Sequence, residues 1–121
     1  MARPRVVLDA NALMLPFQFR INLDSEIRRL LGECDVYVPG PIRRELERLA
    51  RTNRRAKAAA RLAAKYLAIE SEWSGDAAVI DAAETLGAHV VTSDAALLAA
   101  LRERRISTIT LRSKTHLHLE A

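Results

Sequence analysis

The stretch VVLDANAL, Val6 to Leu13, decides how the rest of the chain is read. Val6, Val7 and Leu8 form an apolar run too short for a helix, with a proline just upstream, and so read as a buried strand. That strand runs straight into a charge, Asp9, with Asn11 two positions later. Asp9 could cap a turn. Whether it does more depends on where the other acids fall.

Outward from this strand, the chain alternates. "LMLPFQFRI" is apolar but broken by Pro16 and reads as irregular. Asn22 or Asp24 is placed to cap a helix over "SEIRRLLGE", which Gly32 stops. "DVYVP" is a second strand, and Pro41 suits the first turn of a helix through "IRRELERLAR". A long Ala-rich helix is expected from about Arg55 to Ile69. After "SEWSG" a helix starts near Asp76 and ends at Gly87, "HVVTSD" is a strand, "AALLAALRER" a helix and "STITLR" a strand. Such alternation implies an α/β fold, a mostly parallel sheet with helices on both faces. One domain is expected over residues 1–121, with 113–121 an edge strand or a loose tail.

Composition narrows the class. Half of the 121 residues are hydrophobic but only 4% are aromatic, so the core must be aliphatic. No apolar run approaches the roughly 20 residues of a membrane span, and Cys34 is the single cysteine, expected as small core filler. A cytoplasmic protein is the expectation, with no membrane partner. The net charge of +4 leans toward polyanions. Arg43, Arg44, Arg48, Arg51, Arg54, Arg55 and Lys57 crowd one segment, which by itself describes a solvated helix face.

In open parallel sheets, ligands bind beyond the carboxyl ends of the strands. Asp9 ends the first strand and Asp94 the third; either could merely cap the following helix, as could Ser93. Helical periodicity sorts the remaining acids. At about 100° per residue, Glu45 falls on the rim of the Ile42, Leu46 and Leu49 stripe, and Asp76 between Val79, Ile80 and Ala83. Glu47, Asp81 and Glu84 fall outside and read as surface charges. Four carboxylates facing one end of a sheet must share protons, pair with arginines or hold a cation. An all-oxygen cluster suits Mg²⁺ or Mn²⁺ and not zinc.

These residues resemble the PIN-domain family of metal-dependent ribonucleases. The family's strand ending Asp-x-Asn matches Asp9 and Asn11, and its acid after the second strand matches Glu45 in "GPIRRELERL". Its D-x-x-x-I-x-x-A helix matches Asp76 in "GDAAVIDAA", and its Thr-x-Asp strand end matches Thr92, Ser93 and Asp94. The likeness covers about residues 5–112, closest to an archaeal branch related to ribosomal-RNA processing nucleases, with VapC-type toxins sharing the acids. It implies a three-layer α/β/α sandwich on a sheet of four to five strands. It implies hydrolysis of RNA, single-stranded or structured, by a water activated on one or two Mg²⁺ or Mn²⁺ ions held by Asp9, Glu45, Asp76 and Asp94. Asn11, Thr92 and Ser93 would orient those ligands, and Arg43, Arg44 and Arg48 would contact phosphate. A homodimer, and an antitoxin or ribosome-assembly partner, are the implied associations.

Other residues read more plainly. His116 and His118 read as solvated, and Trp73, the only tryptophan, could stack on a base but is expected to plug the gap beside its linker. Leu13, Leu15, Phe17, Phe19 and Ile21 either pack under the next helix or, if exposed, mark a self-association surface. Two rivals remain. A haloacid-dehalogenase-like phosphatase would want a second Asp where Asn11 stands. A catalytically silent PIN-like module would bind RNA or protein without cleaving it.

Overall fold

The computed structural model describes residues 2–120. β1 (Arg5–Leu8) leads into α1 (Ala10–Phe19) and α2 (Leu23–Leu31), then β2 (Asp35–Pro39), α3 (Gly40–Leu49), α4 (Arg54–Ala63) and β3 (Leu67–Ile69). There follow α5 (Gly75–Leu86), β4 (His89–Val91), α6 (Ala95–Glu103), β5 (Thr108–Arg112) and β6 (His116–Glu120). The sheet order is β3-β2-β1-β4-β5-β6, all parallel except the β5–β6 hairpin. Right-handed crossovers place helices on both faces of such a sheet, which gives the three layers expected.

The strand order fixes where a site can form. The chain winds outward from β1 through β2 to β3, then returns through α5 to β4 on the other side of β1. The switch between the two directions lies between β1 and β4, where crevices open at the carboxyl ends. In that pair Leu8 faces Val91, so Asp9 and Thr92 leave the sheet side by side. Val6, Val7, Leu8, Val90 and Val91 are fully buried, which a strand covered on both faces requires.

Three elements differ from their sequence reading. "LMLPFQFRI" is mostly helical: α1 runs through Pro16 to Phe19, because burial of Ala12, Leu13 and Leu15 outweighs the hydrogen bond a helical proline forfeits. The Ala-rich helix stops at Ala63 instead of reaching Ile69. Leu67–Ile69 pairs in parallel with β2, and Arg43 Nη2 donates to the Ala63 and Tyr66 carbonyls at 3.1 and 3.3 Å, satisfying the helix end. The tail forms β6 through a tight turn at Ser113 and Lys114, both left-handed, so the sheet has six strands, close to the four or five expected. The outer edge of β6 is covered by α2. Glu26 Oε1 accepts the Leu117 N–H at 2.8 Å, and Arg29 Nη2 donates to the Leu117 carbonyl at 2.7 Å.

Candidate functional site

Asp9 is the one buried acid among the described residues. Its backbone is extended and its side chain caps α1, with Oδ1 accepting the Ala12 N–H at 2.7 Å. Its Oδ2 accepts the Thr92 hydroxyl at 2.6 Å. Thr92, fully buried, in turn accepts the Asp94 N–H at 3.1 Å, so one hydroxyl links both strand ends. Asp94 caps α6 by accepting the Leu97 N–H at 2.8 Å. Asn11 Oδ1 takes the Ser93 N–H at 2.8 Å, and Ser93 Oγ takes the Leu111 N–H at 3.0 Å, fastening the turn to α1 and β5. Capping is thus a real task of both aspartates; it occupies one oxygen of Asp94 and leaves each Asp9 oxygen with further acceptor capacity.

The electrostatics separate Asp9 from an ordinary cap. Asp9 is only 5% exposed, and burial pushes its carboxyl up to about 6 from 3.8 against the opposing pull of its two hydrogen bonds. The charges of Asp76 and Asp94 push it the same way. Asp76 is also raised, first by desolvation and then by Asp94. The three carboxyls therefore share one field. Among the described residues none of them, nor Glu45, forms an ion pair, which excludes the arginine network as their explanation. Asp9, Asp94 and Asp76 lie at the N-terminal ends of α1, α6 and α5, whose dipoles favour negative charge.

Asp76 is exposed rather than enclosed in the apolar arc, because it stands in the first turn of α5, where the helix has not yet reached its packed face. Glu45, half-buried on α3, opens instead on a groove of about 450 Å³ with Pro41, Arg44, Arg48, Trp73 and Gly75. Among the described residues no three His, Cys, Asp or Glu side chains converge into a ready cation cage. The donor set is nonetheless that of a hard cation: carboxylate oxygens, unpaired with any arginine or lysine among the described residues, with Asp76 exposed and Asp94 exposed but holding its cap through one oxygen.

The expected basic residues divide. Arg43 turns inward: its guanidinium is spent on carbonyls of α4 and Tyr66, and its Nε is buried without a partner, so it faces the fold and not a substrate. Arg44 holds Glu70 through two hydrogen bonds at 3.2 and 3.3 Å, and Arg48 is exposed. Asp81, read as a surface charge, is half-buried and accepts the Ser71 hydroxyl at 2.7 Å. Trp73, expected to fill a gap, is 61% exposed. No pattern in the sequence marks either, since both depend on the path of one short loop.

A family model described as a PIN like domain matches residues 6–114. The chain belongs to the PIN-domain family. Ribonuclease VapC9 of Archaeoglobus fulgidus is 32% identical over 83% of this PIN domain and 77% of its own length. Ribonuclease VapC4 of Methanocaldococcus jannaschii is 29% identical over 95% of each chain. In fold, the PIN domain superposes on a structure titled as the PIN domain endonuclease Utp24 with a TM-score of 0.82, at 19% identity, covering 96% of this chain and 90% of the other. A domain of a functionally unknown Methanocaldococcus jannaschii protein gives 0.68 at 15% identity, covering 91% and 92%.

Proposed function

We propose that this PIN domain is a Mg²⁺- or Mn²⁺-dependent endoribonuclease with its site at the carboxyl ends of β1 and β4. The observation that carries the proposal is that Asp9 and Asp76 are raised, first by burial and then by neighbouring carboxylates, Asp94 among them, while among the described residues none of the three forms an ion pair. The relatives named as ribonucleases make RNA the substrate to test. Asp9, Asp76, Asp94 and Glu45 would hold the ion. Once bound, it would supply an activated water and neutralise charge growing on the phosphate. Thr92 fixes Asp9 by donating to Oδ2, and Asn11 and Ser93 fix the turn that carries Asp94. Arg48 would hold phosphate on the Glu45 side, Arg44 being engaged by Glu70. A homodimer, and an antitoxin of the kind VapC toxins pair with, are the proposed partners, each measurable by light scattering and by co-expression.

A second reading has one observation in its favour: among the described residues no three potential ligands converge as the side chains stand, as a silent RNA-binding module would have it. Purified protein and single-stranded RNA with Mg²⁺ or Mn²⁺ separate the two, with chelator and Asp9→Asn as controls. Cleavage lost in both controls supports the nuclease. Cleavage that persists in both removes the mechanism, and RNA retention without any cleavage supports the silent module.

A further inference from the structure

The groove beside Glu45 holds the chain's single tryptophan, and the cation-site reading gives it no task. Trp73 is 61% exposed, a costly place for an indole unless something covers it. Its position is also held. The Ser71 hydroxyl donates to Asp81 on α5 at 2.7 Å and accepts the backbone N–H of Trp73 at 3.1 Å, so the loop backbone is tied to the helix that carries Asp76. Arg44 and Arg48 line the same groove, with Glu45 and Glu72 as its acids. Its volume of about 450 Å³ lies within the range of small-ligand sites.

We propose that Trp73 is a stacking platform for one unpaired base of the RNA substrate, with Arg48 holding the phosphate next to it. The proposal rests on the nuclease reading for its substrate and adds to it a preference for single-stranded RNA. An indole face accepts any base that has left its stack, whereas a duplex keeps its bases stacked on one another. Arg48 is the cation to assign, because Arg44 is engaged by Glu70. The groove meets the proposed centre through two of its lining residues: Glu45 itself, and Gly75, which precedes Asp76. A base seated on Trp73 would lie in the groove that Glu45 and Arg48 line.

With one tryptophan in the chain, its emission reports this site alone. The experiment uses the Asp9→Asn protein in chelator, titrated with a short single-stranded RNA, the same strand carrying abasic sites, and the annealed duplex. Saturable quenching by the intact single strand alone is the expected result. Labelled-RNA anisotropy should show Trp73→Ala binding roughly 10-fold more weakly and Trp73→Phe close to its parent. No quenching, equal quenching by the abasic strand, or unchanged affinity in Trp73→Ala overturns the platform. So does emission that ignores RNA but shifts with protein concentration, which would assign the face to self-association. Wild-type cleavage without quenching removes this subsite and leaves the nuclease; quenching without cleavage keeps the platform and removes the nuclease.

Discussion

Two groups of carboxylates in this molecule receive opposite treatment. Along the β5–β6 edge, Glu26 lies against Arg29 and the Leu117 N–H, and Glu120 against Arg102 and the Thr108 hydroxyl; both carboxyls are held below the usual range, first by the arginine bonds. At the carboxyl ends of β1 and β4, Asp9 and Asp76 are raised, and no arginine answers them. A framework acid is neutralised by its neighbours. The acids at the switch point are left to repel one another, the pattern the proposed cation site calls for and a framework does not.

The two regions should respond to pH with opposite sign, and Asp9 gives the largest effect. Its folded-state value of about 6 lies above the unfolded 3.8, so stability present below pH 3.8 is lost as pH rises through 6, a loss of about 3 kcal/mol. In chelator at pH 8, Asp9→Asn should recover much of it, since the amide can accept from Ala12 and donate to Thr92. Urea unfolding across pH measures this; a variant less stable than its parent there would break the contrast. Glu26 runs the other way: its contribution is present above the ordinary glutamate range and fades as pH falls below it.

Thr92→Val should follow in size, lowering cleavage roughly 10–100-fold by freeing Asp9 and stripping the Asp94 N–H of its acceptor, with Thr92→Ser restoring it. Full activity in Thr92→Val would detach the hydroxyl from the site. Glu26→Ala should cost about 1–3 kcal/mol in thermal or denaturant unfolding, because the Leu117 N–H loses its partner, while leaving cleavage unchanged. The smallest effect belongs to Arg102→Ala, under about 1 kcal/mol, as its ion pair with Glu120 is largely exposed.

Much of this contrast is legible in the sequence, for physical reasons. β1 and β4 announce themselves because strands buried on both faces are uninterrupted Val and Leu, and a charge at their ends has to be placed somewhere. The charge of Asp76 acts on Asp9 and feels that of Asp94, although helical periodicity overstates its burial at a helix start. What the sequence hides depends on distant partners. β3 is three residues whose strand state comes from pairing with β2, and α1 carries Pro16 because its packed face outweighs local preference. Arg43 sits in a basic run and looks like its neighbours until the end of α4 claims it. Trp73 is exposed because Ser71 and Asp81 set the loop, a contact between a residue of the linker and one read as surface.

The unanswered carboxylates are tested most directly by Mn²⁺ itself, without RNA. Thermal unfolding at pH 7.5 with rising Mn²⁺ should raise the wild-type midpoint by about 10 °C at about 100 times the dissociation constant, and leave Asp9→Asn unmoved. No rise in the wild type, or an equal rise in Asp9→Asn, would contradict a divalent cation held at the ends of β1 and β4.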